Sequence, residues 1–333
     1  MVLRKAKQKE RNLYIDILKV MAIVLIVITH DPWSVEHKKL LIFPMLIDMA
    51  VPIFMIVSGY NYANGMHNSL KDEYKAAGIW KRLKRILVPF LLVFAGMVML
   101  LIFIKNKEYT VVSLLSDLIK GGYGPGAYYT PIMVQFILLS PLLWYVYSKY
   151  SIYAVFAVNL LFETGYTFLQ VNGNAYQFLI FRYLFLITLG FEMRKRESES
   201  VGNKIPLIIM FIVGIMYLVC TSYVYNPVVF TRWTTTSMIS GFYIWPILLV
   251  GQVFFNGKKV SIKVKNILEI CSNATFHIYL VQMVYYYIGI QRVFGTIPAG
   301  VRSILSVLVC MAGGVTFYYI MKKIQNIGVI KSV

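Results

Sequence analysis

Negative charge is what this chain has least of: Asp and Glu number 14 in 333 residues, and all charged residues together make up 14%. A soluble domain draws about a quarter of its residues from the charged types, because it must cover its surface. With 59% hydrophobic residues and a mean hydropathy of +0.67, a water-facing globular fold is excluded, and an integral membrane protein is expected. Cysteine is almost absent as well. Cys220, Cys271 and Cys310 fall in or beside apolar stretches, without the spacing of a disulfide framework or a metal site, so they are expected to pack as small hydrophobes and no metal is expected. Also missing are a low-complexity tract, a convincing repeat and a composition break that would mark a soluble domain. The first apolar run lacks a small-residue cleavage site and is expected to be a retained helix. The expected organisation is one membrane domain over residues 1–333, opening with a short basic tail over 1–12.

What the chain does have is a series of apolar stretches of about twenty residues, the length that spans a bilayer as helix. They fall near 13–32, 40–62, 86–104, 127–148, 150–170, 175–193, 205–223, 234–256, 267–290 and 300–321, which gives an all-α bundle of about ten spans. Lys and Arg, 33 in number, cluster in the connections sharing a side with the N-terminus, among them RKAKQKER, KDEYKAAGIWKRLKR and GKKVSIKVK; counted together with Lys19, 24 of the 33 fall on that side. That asymmetry predicts cytoplasmic termini, with Asn68 and Glu199 inside and Asn172 outside. It also accounts for the +19 net charge without nucleic acid, since the cations are spread as orientation signals and not gathered into one binding face. The longest outer connection, Lys105 to Gly126, ends in GGYGPG and reads as a flexible connector, with a cover over a site as the alternative.

Within the first apolar helix stand Lys19 and His30. Eleven residues at about 100° each return to within roughly 20° of the same face, and at about 1.5 Å per residue separate the two by about 16 Å. An ionisable group in a bilayer helix costs about 2.5–3.5 kcal/mol on insertion scales, so the aligned pair marks a functional stripe. Asp16, one turn before Lys19, extends it and is expected to pair with Lys19. Asp31 follows His30 but points about 100° away, which makes it a poor orienting partner. Three further charges lie at expected membrane depth, Asp48, Glu163 and Arg182, and each should face the bundle interior; Arg182 needs an anion, which Glu163 or a substrate supplies. His277 and Gln282, five residues apart on one helix, do not share a face, so at most one lines a common cavity.

Lys19, ten residues and His30, preceded by Asp16, resemble the first helix of the acyltransferase family 3 membrane proteins, where the basic residue is usually Arg. VPIFMIVSGY (51–60) is similar to that family's second helix, KRLKRILVPF (81–90) to the basic segment opening its third, and AYYTPIMVQFILLSPLL (127–143), with Gln135 and Pro141, to its fourth-helix region. ATFHIYLVQ (274–282) resembles a late segment in which histidine is common where Gln282 stands. The ordered set covers almost the whole chain.

The resemblance implies transfer of an acyl group, typically acetyl, from cytoplasmic acyl-CoA to a hydroxyl of a surface glycan or lipid-linked saccharide. In that chemistry His30 is the candidate base, since an imidazole is the side chain best matched to removing a hydroxyl proton near neutral pH. Lys19 would contact the CoA phosphates or the thioester carbonyl, its alternative role being a snorkelling lysine. Arg82 and Arg85 are candidate phosphate contacts as well as topology signals. Ser58 and Tyr60 flank Gly59, where a ligand or a second helix could approach closely. Arg182, Glu163, Gln135 and Asp48 are the candidate substrate contacts. The partners implied are the lipid bilayer, acetyl-CoA as donor, a glycan acceptor and a polysaccharide-synthesis machinery in a bacterial plasma membrane. Two other classes stay open: a transporter or flippase for a saccharide, an amino acid or the acyl donor, for which a charged intramembrane stripe serves equally well, and a sensor or assembly partner within a polysaccharide-export complex.

Overall fold

A computed structural model describes residues 11–65, 70–169, 176–198, 204–224, 236, 238–255, 257–258 and 260–326. Most of the basic tail, together with Asn68, Asn172 and Glu199, lies outside them. Among the described residues 83% are helical and none forms a strand. The principal helices are α1 (Leu13–Thr29), α2 (Ala50–Ala63), α3 (Ala76–Lys105), α4 (Val111–Ile119), α5 (Tyr129–Tyr150), α6 (Ile152–Phe168), α7 (Leu184–Lys195), α8 (Ile205–Val219), α9 (Ser240–Phe255), α10 (Ile262–Ile288) and α11 (Ala299–Asn326).

Among the described residues six helical segments are long and apolar enough to cross a membrane: Phe43–Ala63, Ala76–Lys105, Tyr129–Tyr150, Ile205–Tyr223, Ile262–Ile288 and Ala299–Gln325. Two shorter apolar helices, Ile152–Phe168 and Ser240–Phe255, stand beside them. The remaining expected spans contain α1, with 17 residues, and α7, with 12. At about 1.5 Å per residue these are roughly 25 and 18 Å long, short of a hydrocarbon core of about 30 Å. Both are central helices whose faces are taken up by neighbours: α7 packs on α2 and α6, and α1 on α10, α2 and α11.

The α2–α7 crossing is set by two glycines. A Cβ on Gly59 would lie 2.0 Å from the Ile187 carbonyl oxygen, and one on Gly190 would lie 1.9 Å from that of Ile56. Each helix thus offers its bare backbone to the other, the close approach that small residues permit in membranes. Gly59 is therefore a packing position. Helix α1 starts where the Asn12 side chain accepts from the Tyr14 and Ile15 amides, the usual way to satisfy first-turn donors. It runs parallel to α10, since Asp16 meets Ser272 (2.6 Å) near one end and Val27 meets Tyr286 (2.8 Å) near the other. These contacts define an Arg11 end and a His30 end of the bundle.

Asp48 lies inside the Phe43–Ala63 span as expected, in the turn between a short helix, Phe43–Leu46, and α2. Arg182 lies in a 3-10 turn, Ile180–Tyr183, at the entrance to α7. The basic run Lys81–Arg85 is helical too, because α3 begins at Ala76 and not at the first apolar residue; Lys and Arg are good helix formers, and hydropathy does not register where a helix begins.

Candidate donor cavity and the histidine beside it

Opening among the Arg11-end halves of α1, α2, α3, α5, α10 and α11 is a cavity of about 720 Å³, in the range of about 300–1,000 Å³ typical of small-molecule sites. Among the described residues its walls carry four cations, Lys19, Arg82, Arg85 and Lys322, and no carboxylate. Arg82 and Arg85 reach it together because residues three apart on a helix share a face. Arg82 is held by the Glu73 carbonyl (3.2 Å) and lies over the Tyr62 ring at 5.9 Å. Lys19, Arg85 and Lys322 have no ion-pair partner among the described residues. Charges of one sign facing a common space at partly apolar depth repel one another, and an anion bound there would offset that repulsion. Ser58, Asn61, Ser272 and Asn273 add polar groups in the same half.

Toward the His30 end the lining changes to Ile26, Phe54, Tyr129, Met133 and Tyr279. His30 lies one turn beyond Ile26 on α1, just outside this apolar ceiling. Between them passes the segment Gly121–Tyr128. Its glycines 121, 122, 124 and 126 all have positive φ, backbone that only glycine adopts readily. A Cβ on Gly124 would lie 2.6 Å from the Met283 carbonyl oxygen, and one on Gly126 would lie 3.6 Å from both His30 Nε2 and the Tyr279 ring. The Tyr279 hydroxyl donates to the Gly126 carbonyl (2.9 Å), the Tyr123 hydroxyl donates to Asp117 (2.7 Å), and the Tyr123 ring stacks on Phe94. The connector expectation for GGYGPG is corrected: this segment is seated against α3 and α10 and covers His30. Sequence alone reads glycines as flexibility, whereas here their φ values let the backbone enter a space without room for side chains.

The stripe on α1 is present but its members differ in role. Lys19 lines the cavity. Asp16 does not pair with Lys19; it takes a bidentate bond from Arg11 (2.5 and 2.8 Å) and one from Ser272, tying the start of α1 to α10. Arg11 offers two donors in a planar fork that matches the carboxylate, which a lysine cannot do. Asp31 turns to α11, where Ser306 donates to it (3.2 Å) and Arg302 approaches at 4.0 Å; as its helical angle indicated, it does not orient His30. Tyr60 is 2% exposed and bonded to Asn12 and Glu197 at the Arg11 end, outside the cavity wall. Ser58 does line the wall.

Glu163 and Arg182 share Tyr176 as a neighbour. The Tyr176 hydroxyl donates to the Glu163 carboxylate (2.7 and 2.8 Å), and the Arg182 guanidinium lies over the Tyr176 and Tyr183 rings at 4.9 and 5.2 Å while donating to Thr236. Tyr128, two residues past Gly126, belongs to the same electrostatic neighbourhood. Gln135 spends both ends of its amide on the backbone before Arg182, donating to the Phe178 carbonyl (2.6 Å) and accepting from the Ile180 amide (3.1 Å). It shapes the segment that carries Arg182. His277 lines the cavity and Gln282 does not.

Lys322, Ser272 and Asn273 were not among the sequence candidates for the cavity. Lys322 was visible only as half of a topology signal. A signal for the other two existed: with His277 they put polar groups on one stretch of helix at i, i+1 and i+5, but nothing indicated which neighbour they faced.

No curated protein and no solved structure matches this chain significantly. The family model described as an acyltransferase domain matches residues 12–323, from the cap of α1 to the last turns of α11, and thus takes in every group that lines the cavity except Gln325. This multi-pass membrane protein belongs to acyltransferase family 3.

Proposed function

We propose that the chain is a membrane-bound O-acyltransferase, a bundle of ten spans with both termini in the cytoplasm of a bacterial cell, that moves acetyl from acetyl-CoA to a hydroxyl of an extracytoplasmic or lipid-linked glycan. The observation that carries this reading is the carboxylate-free cavity with four cations at one end and an apolar ceiling beside His30 at the other. The phosphates of CoA answer Lys19, Arg85 and Lys322, which have no ion-pair partner among the described residues, with Lys19 and Lys322 as point charges and Arg85 as a bidentate donor beside Arg82, which also faces the Glu73 carboxylate at 3.8 Å. A glycan hydroxyl arriving from the His30 end attacks the thioester carbonyl carbon. His30 takes the hydroxyl proton as the new C–O bond forms, the C–S bond breaks, and the CoA thiolate leaves toward the charged end.

Lys19 does not serve the reacting carbonyl in this scheme. It stands about 16 Å from His30 along α1, and helical side chains lean toward the N-terminus, so its ammonium is directed away from the ceiling. An oxyanion donor must come within about 3 Å of the developing charge. Lys19 therefore holds the donor, and His30 handles the proton.

The test is incorporation of labelled acetyl from acetyl-CoA into surface glycan by membranes carrying the wild type or His30→Ala at matched protein levels, with binding of labelled CoA measured in parallel. Incorporation that depends on His30, together with CoA binding that does not, supports the reading. A wild type that neither binds CoA nor acylates glycan, but mediates uptake into vesicles, supports the transporter class instead.

A further inference from the structure

The charged half of the cavity suits a donor of any acyl length; its closed end does not. Tyr129 stands edge-on to Tyr279 with ring centroids 5.0 Å apart, and Phe54 lies against Tyr129 at 6.0 Å. Tyr279 is fixed from two sides, by its hydrogen bond to the Gly126 carbonyl and by the Phe276 ring at 5.7 Å. Tyr129 is fixed at the start of α5, and Phe54 on α2 is 8% exposed. These rings line the cavity on its His30 side. On the far side of Tyr279 lies Gly126, and then His30.

We infer that the Tyr129–Tyr279 pair, with Phe54 beside it, is an acyl-length gauge that restricts the donor to a very short acyl chain. The inference rests on the acyl-CoA reading above. For His30 to receive the proton of the attacking hydroxyl, the thioester carbon has to reach the ceiling, because there the Tyr279 wall and His30 share Gly126 as a neighbour. Carbons beyond the carbonyl then meet the rings. Close-packed side chains do not yield space without strain, and the bond to Gly126 removes the easiest movement of Tyr279. An added methylene in such a pocket changes selectivity by about 10- to 200-fold.

The experiment measures displacement of labelled CoA from the purified full-length protein in nanodiscs by CoA, acetyl-CoA and hexanoyl-CoA, so that no acceptor is required. In the wild type, hexanoyl-CoA should compete at least about 10-fold less well than acetyl-CoA. Tyr129→Ala and Phe54→Ala should each bring the two within a few-fold, while Tyr129→Phe, which keeps the ring, should retain the wild-type ratio. Phe54→Leu, a milder change, should lower the ratio partway and serves where either alanine variant fails to fold. If wild type does not bind CoA at all, the donor reading itself is wrong. If CoA and acetyl-CoA bind but hexanoyl-CoA competes equally well in wild type, or the ratio is the same in every folded variant, the gauge is overturned and the donor reading stands.

Discussion

A lysine on a helix leans toward that helix's start and a histidine one stripe further on leans back toward it, so Lys19 and His30 face one cavity system from different levels. Their variants should separate accordingly. His30→Ala should lower glycan acetylation by about 10²–10⁴-fold, the usual worth of a general base, while labelled CoA binds within a few-fold of wild type. Lys19→Gln should weaken CoA binding by at least about tenfold, about 1.4 kcal/mol, because a charged donor to phosphate is lost. Lys19→Arg should bind CoA within a few-fold of wild type, since charge is kept and a bidentate fork is added. Equal loss of binding in all three would indicate misfolding and remove the division of labour. The stripe was legible because it depends only on helical angle and on the cost of charge in a bilayer. The partner of Asp16 was not. Arg11 lies five residues away, outside the i+3 and i+4 neighbours that sequence reasoning considers, and Ser272 is 256 positions distant. Gln135 shows the same limit: the motif position was visible, but that its amide is consumed by the backbone at Phe178 and Ile180 depends on a tertiary contact.

Among the elements, the apolar helices were the most legible and the Gly121–Tyr128 segment the least, because period and length mark a helix whereas a chain of positive-φ glycines is specified only by what surrounds it. That segment gives a sharp expectation. Gly126→Ala places a Cβ at φ +80, 3.6 Å from both His30 Nε2 and Tyr279. The backbone conformation alone costs about 1–2 kcal/mol for a residue with a Cβ, and the methyl sits between the Tyr279 ring of the cavity wall and His30. Acetyl transfer should fall at least tenfold while protein level and CoA binding change little, because the charged half of the cavity lies at the other end. Gly190→Ala is the contrasting case. Its Cβ would meet the Ile56 carbonyl oxygen at 1.9 Å in the α2–α7 crossing, which forces the two helices apart. It should lower folded protein in the membrane, measured by a fluorescence-detected size-exclusion profile, and reduce binding and transfer together. A Gly126→Ala variant that behaves like Gly190→Ala would show the loop to be structural only.

At the scale of the whole molecule, the positions of the cations and the positions of the helices are independent observations that make one joint prediction. Six segments among the described residues meet the length and hydropathy of a span, whereas the proposed arrangement of ten crossings is the one that gathers most of the Lys and Arg on one side. The difference falls on the central helices, α1 and α7, and on the shorter α6 and α9. The two short central helices are shielded from lipid by neighbours, so neither needs a full bilayer length of apolar residues of its own. The ten-span arrangement puts Lys75 and Lys258 on the side of Arg11 and the cavity mouth, and Lys39 and Glu108 on the side of His30. Single cysteines at these four positions, in a background with Cys220, Cys271 and Cys310 replaced by serine or alanine, should sort by an impermeant thiol reagent. Those at 39 and 108 should react in intact cells, and those at 75 and 258 only after permeabilisation. A six-span chain, or one with reversed orientation, breaks this pattern in at least one pair. The outcome also bears on chemistry, because acetyl-CoA is made in the cytoplasm: labelling that put Lys75 outside would leave the cationic cavity open to the wrong compartment and would end the donor assignment whatever its shape.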